Sequence, residues 1–340
     1  MRYPLFLGAL GLAVGLLAGC DSDPAPVPPS GGSSAAVASG SGERGVPAGA
    51  VKMTPEADAP PPRLHSDGWH APVPLPAAIN TAGAEDSPYV SPDGRTLYFW
   101  FTPDVTVPPH KQLIDGFTGI YVIRRQGDGW GKAERIALQE PDKVSLDGAP
   151  VVHDHTMWFC SVRRGNFREV DFYIATFRDG AWRDWTNAGK RLNEEFDVGE
   201  LDVSQDGKTI YFHANRPGGQ GQNDIWRTRF VGGTWQDPEN VEAVNSAENE
   251  SQPFIAPDGE TMWLTRRHRG TPGVFRSRRK DGRWQPPELV LSQFAGEPTV
   301  DAAGTLYFVH HFFKDGKMIE ADLYRAERKA GHPPDGETGP

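Results

Sequence analysis

The 340-residue sequence predicts an all-β fold, a five-bladed β-propeller of four-stranded antiparallel blades. Three observations lead there. The stretch "SPDGRTLYF" at 91–99 returns as "SQDGKTIYF" at 204–212, "APDGETMWL" at 256–264 and, more loosely, "DAAGTLYFV" at 301–309. Tryptophan follows a Gly-containing turn at Trp69, Trp130, Trp182, Trp235 and Trp284, at separations of 61, 52, 53 and 49 residues. Apolar residues are only 37% of the chain, while Gly and Pro number 39 and 31, as in a turn-rich β protein. A repeat near 50 residues falls in the range of propeller blades.

Each unit reads as four strands. An apolar entry strand meets an Asp-Gly turn, whose glycine tolerates the positive φ of a tight hairpin. The second strand is β-branched and aromatic, as in "TLYFWF", "TMWFCSV", "TIYFHA", "TMWLTR" and "TLYFVH". The third is "GIYVIRR", "DFYIATF", "DIWRTRF", "GVFRSRR" or "DLYRAER". The fourth carries the tryptophan and often proline, which suits an outer edge. Four units are complete, at roughly 83–140, 145–193, 196–245 and 246–291; the last, 293–328, supplies three strands. Its missing outer strand is expected from "SDGWHAPVPLPAAIN" at 66–80, closing the ring from the N-terminal side. In unit two the turn reads "VHDHTMWF", with His155 in place of the glycine.

Residues 1–19 read as a signal peptide: Arg2 gives a positive start, and the apolar run at 5–18 is short for a membrane span. "LAGC" ends it and resembles the lipobox of bacterial lipoproteins, which implies acylation of Cys20 and a lipid anchor in the cell envelope, facing the periplasm. Asp21 in enteric lipoproteins favours the inner membrane. Residues 20–65 read as the lipidated Cys and a disordered Pro/Ala/Gly/Ser linker, 66–329 as the propeller and 330–340 as a disordered tail. Cys160, in "TMWFCSV", reads as a small buried hydrophobe.

The repeats resemble the WD40-like (TolB-type, PD40) β-propeller repeats of bacterial envelope proteins, through "SPDGRTLYF", "SQDGKTIYF", "APDGETMWL", "DFYIATFRDGAW", "NDIWRTRF" and "ADLYRAER". TolB itself has six blades and a separate N-terminal domain, so its translocation role does not carry over. The resemblance implies a recognition or scaffolding module rather than an enzyme.

Acids precede the first strands and arginines follow the second, so both converge on one mouth of the channel. The expected binding residues there are Glu85, Asp86, Asp147, Arg163, Glu200, Asp202, Arg216, Glu250, Arg266 and Glu297. Arginine suits carboxylate or phosphate, and carboxylates suit sugars, amines or cations. Their repetition equally suits ion pairs that hold the ring's register. The long segment at 102–119 lies on the same face and is expected to cover or extend the mouth. The alternative is a glycoside hydrolase using Asp86, Asp147 and Glu200, since five-bladed arabinanase-type enzymes draw three acids from successive blades. No cofactor is expected, and no metal centre: His153 and His155 alternate and His310 and His311 adjoin, and neither pattern supplies three or four ligands. The net charge of −10 excludes a phosphate-backbone partner. The expected partners are the membrane, through the lipid, and an envelope protein or glycan.

Overall fold

A computed structural model describes residues 43–331. The expected signal peptide, Cys20 and all but Ala330 and Gly331 of the expected tail lie outside the described residues. The fold is all-β, and nearly every strand pair is antiparallel. Unit one pairs Ala84–Val90, Thr96–Thr102 and Gly119–Gln126, with Gly129–Trp130 and Glu134–Arg135 along the outer edge. Unit two is Ser145–His153, Thr156–Arg163, Asp171–Arg178 and Ala181–Asn187. Unit three is Leu201–Val203, Thr209–Ala214 and Asp224–Val231, edged by Thr234–Trp235 and Glu239–Asn240. Unit four is Glu250–Ile255, Thr261–His268 and Thr271–Lys280, edged by Arg283–Trp284 and Glu288–Ser292. Unit five is Ala295–Val300, Leu306–Lys314 and Lys317–Ala326.

The fourth strands break into short pieces in units three and four, where "WQDPEN" and "WQPPEL" carry proline. The outer strand of unit two, Ala181–Asn187, runs unbroken, while that of unit one, "GWGKAER", is split without a proline. The glycine-less turn of unit two closes because Asp154 takes the left-handed conformation (φ 51°) between His153 and Thr156. Aspartate tolerates that region through its short polar side chain.

The N-terminal segment reaches unit five. Val73–Pro74 pairs with Arg325 and Tyr324 of the third strand of unit five, and Trp69 bridges Arg328. First strands touch in succession: unit one meets two, two meets three, three meets four, four meets five and five meets one. The last and first units also share a parallel pairing, Ala321 with Ala84.

The repeated tryptophans pack across units. Trp182 of unit two meets Tyr98 of unit one at 6.2 Å between ring centroids, Trp235 meets Trp158 at 6.3 Å, and Trp284 meets Tyr211 at 6.1 Å. Trp69 meets Trp263 of unit four at 5.5 Å and 83°, an edge-to-face contact. Each aromatic partner sits at the same place in its second strand. Trp69 is 1% exposed, and its Nε1–H donates to the Gly304 carbonyl at 2.9 Å. Cys160 is buried, as expected, and burial pushes its thiol pKa up.

The expected linker is revised at its C-terminal part. Residues 43–64 lie on the body as a strap, and Arg63–Leu64 adds to the outer edge of unit four beside Ser292 and Leu291. Gly45 (φ 78°) sits so close to Phe117 that a Cβ there would lie 2.5 Å from the ring. The long loop of unit one therefore buttresses the strap.

Replacing Trp69 by alanine removes the largest buried contact of the N-terminal strand. The expected cost is about 3–5 kcal/mol, read as a lower denaturant midpoint in equilibrium unfolding.

Candidate functional site

The site is built from one irregularity of the first strands. In four units the register slips between the strand start and its middle: between Asp86 and Tyr89, Gly148 and Val151, Ser251 and Phe254, and Gly296 and Thr299. The sequences there are "DSPY", "GAPV", "SQPF" and "GEPT". Proline cannot donate to the ladder, so the strand bulges. Ser87, Ala149, Gln252 and Glu297 take left-handed φ values of 47°, 45°, 45° and 53°. These four residues and Glu200 of unit three line a cavity of about 60 Å³ within the central channel.

The expected mouth residues divide into two groups. The first is committed to the fold. Asp147 accepts from Arg163 Nη2–H at 2.6 Å and from the Ser145 and Ser161 hydroxyls at 2.7 Å each. Glu250 pairs with Arg266 at 2.7 Å and accepts from Ser246. Glu85 accepts from the Thr81 hydroxyl at 2.7 Å, and its cation is Arg44 of the strap at 3.5 Å. Arg163 and Arg266 also reach the Leu138 and Val244 carbonyls at 3.1 and 2.8 Å. Arg216 donates to the Phe196 carbonyl and lies over Trp226. The Asp147 and Glu250 pairs join the first and second strands of one unit, so they brace units individually.

The second group turns inward. Asp86, Glu297 and His311 bring one ligand atom each within 4.8 Å of one another. Asp86 lies 3.4 Å from His311 Nε2 and accepts from the Ser87 N–H at 2.8 Å. Glu297 donates its backbone N–H to Thr265 Oγ1 at 2.8 Å. Burial, then the Asp86 and Glu200 charges, push the Glu297 carboxyl well above its ordinary range. Burial and the Asp86 charge push Glu200 up to about 7. Three carboxyls this close do not all ionise together. Asp202 faces the same cavity and accepts from the Ile255 N–H at 2.6 Å.

The three acids of the glycoside hydrolase set differ in their surroundings. Asp86 and Glu200 share the channel, whereas Asp147 is held by its arginine and two serines. A cavity of about 60 Å³ is far below the roughly 300 Å³ at which small-molecule sites begin.

The strap caps this mouth. Lys52 pairs with Glu320 and Asp322, and Asp58 meets His310 Nε2 at 2.8 Å. Asp171 and Asp224 accept backbone N–H groups of the turns before their strands, whereas Asp322 receives Lys52.

A different concavity opens at the opposite, turn-side face. It encloses about 610 Å³ and draws on every unit: Tyr89 and Tyr98, His153, Gln205, Phe254 and Pro257, and Val300. Sequence reasoning placed binding at the other mouth and missed this one. The available signal was the aromatic residue after the proline in two first strands, Tyr89 and Phe254.

No known family profile matches the sequence, and no curated protein matches it. Solved structures with similar folds include TolB from Acinetobacter baumannii, 13% identical over 74% of this chain and 56% of that one, at a TM-score of 0.43. A xylan β-1,4-xylosidase from Bacillus halodurans C-125 is 14% identical over 74% of this chain and 54% of that one, at 0.48. A protein of unknown function from Dyadobacter fermentans is 15% identical over 79% of this chain and 99% of that one, at 0.45. The chain thus spans just over half the length of the first two.

Beneath the strap, burial pushes Glu85 up to about 7 and Asp322 to about 8, with Arg44 and Lys52 offsetting part of it. Both groups hold protons in the native state at pH values where the unfolded chain has lost them. That contribution is full below the ordinary carboxylate pKa values of the unfolded chain, falls as pH rises from there to about 7 for Glu85 and about 8 for Asp322, and is gone above them. Thermal melts are expected to give a higher Tm at roughly pH 5.5 than at roughly pH 8.5, and Asp322→Asn flattens part of that slope.

Proposed function

We infer that this chain is a five-bladed β-propeller, closed by residues 66–80 on its last blade, that serves as a membrane-anchored recognition or scaffolding module of the bacterial envelope. The cyclic succession of first-strand contacts and the Val73–Pro74 pairing support the closed ring. The leader and "LAGC" ending at Cys20 support the lipid anchor.

One observation carries the binding role. The turn-side concavity of about 610 Å³ has the size of a ligand site, while the charged mouth is internally paired and strapped. Aromatic walls with a few polar groups, His153, Asp93 and Gln205, suit a peptide segment of an envelope protein or the face of a glycan. The recognition surface is accordingly moved from the mouth to the turn side.

The test compares three forms of the full chain for partners captured from envelope extracts and for hydrolysis of a polysaccharide panel. Gln205→Arg with His153→Ala is expected to lose a partner by at least about tenfold, while Asp86→Asn with Glu200→Gln retains it. A partner kept by the first variant would overturn the turn-side site. Polysaccharide hydrolysis by the parent, abolished in the second variant with folding intact, would replace this reading by the glycoside hydrolase one.

A further inference from the structure

Three groups able to ligate a cation meet in the channel: Asp86, Glu297 and His311 converge to within 4.8 Å, and Glu200 faces the adjoining cavity. Four cations of this mouth pair with other acids: Arg44 with Glu85, Arg163 with Asp147, Arg266 with Glu250, and Lys52 with Glu320 and Asp322. A second, independent observation comes from Asp202. It is 1% exposed and lines the same cavity, yet its Oδ1 has no hydrogen-bond partner and lies 3.5 Å from His153 Nε2. A buried carboxylate oxygen without a donor is costly unless something positive meets it.

The adjoining cavity, lined by Glu297, Glu200 and Asp202, measures about 60 Å³ and gives room for water beside an ion bound at the cluster. The donor set mixes one imidazole with several carboxylates. Carboxylates alone suit calcium or magnesium, and imidazole shifts the preference to first-row transition ions and zinc.

We propose that the channel holds one first-row divalent cation, Mn²⁺ or Zn²⁺ in character, bound by Asp86, Glu297 and His311, with Glu200 reaching it through water. The three ligands come from two units. Asp86 begins the first, and Glu297 and His311 belong to the fifth. These are the units joined where the chain returns on itself, by the parallel pairing of Ala321 with Ala84. The ion would therefore link the two ends of the repeat from inside, opposite the N-terminal strand that links them from outside. Sequence reasoning discounted His311 because it sought ligands close together in the chain; here Asp86 and His311 are 225 positions apart.

The test uses the full chain in detergent, stripped with a chelator and titrated with Mn²⁺, Zn²⁺, Ca²⁺ and Mg²⁺ by calorimetry, with thermal melts at each step. One Mn²⁺ or Zn²⁺ per chain is expected, with a saturable rise in Tm. Glu297→Gln, which preserves shape, is expected to weaken binding at least about tenfold, and His311→Ala likewise. Mn²⁺ binding is also read from the loss of the free-ion electron paramagnetic resonance signal. Absence of binding would overturn the proposal, as would binding unchanged in Glu297→Gln or affinity for Ca²⁺ or Mg²⁺ equal to that for Mn²⁺ and Zn²⁺. Should His311→Ala fail to fold, as judged by circular dichroism, the Glu297→Gln titration decides alone.

Discussion

The structure depends on one recurring contact, an outer-strand tryptophan set against an aromatic ring in the second strand of the preceding unit. A four-stranded antiparallel sheet has two faces to cover, and a sheet this small cannot cover either alone. Trp182, Trp235 and Trp284 each cover part of a neighbour, at Tyr98, Trp158 and Tyr211. Trp69 repeats the contact at Trp263, although it lies near the other end of the chain. That repetition sets the N-terminal strand against unit four, while Val73–Pro74 and the Trp69–Arg328 bridge join it to the last unit. Gly304 accepts its indole N–H, and the guanidinium groups of Arg276 and Arg328 lie over its ring, so the side chain is held on several sides.

Packing of this kind leaves the inner ends of the first strands crowded around an axis. Proline-induced bulges turn Ser87, Ala149, Gln252 and Glu297 toward that axis. Buried acids then need compensation, and the chain supplies it in two ways. Asp147 and Glu250 take arginines from their own second strands. Unit one offers Phe101 opposite Glu85, so the cation comes from Arg44 in the strap. Lys52 does the same for Glu320 and Asp322. The strap is thus an electrostatic part of the fold, and the mouth it crosses is occupied by the protein's own charges. The space left for another molecule lies at the turn side.

Much of this was legible in the residues. The repeated turns and tryptophans marked the units, and counting strands showed that the last unit lacked one and that 66–80 could supply it. The hairpin alternation placed Cys160 in the core. The strap was not legible. Its sequence, "ERGVPAGAVKMTPEADAPPP", has the composition of a linker, and only the buried acids beneath it give Arg44, Lys52 and Asp58 a place. Likewise, a list of acids before first strands could not separate Asp147, facing its own arginine, from Glu297, facing the channel. Relative to the proline the two stand two residues apart, and the left-handed residue at the bulge breaks the alternation that would otherwise point both the same way.

The sequence by itself determined the strand class, the repeat and the order of strands, because alternation, turn chemistry and spacing act over a few residues. Only the tertiary structure decided which charges neutralise one another and which remain unmatched. Those relations join residues far apart in the chain, such as Asp86 with His311 and Lys52 with Asp322, and electrostatic partnership depends on distance in space and on burial.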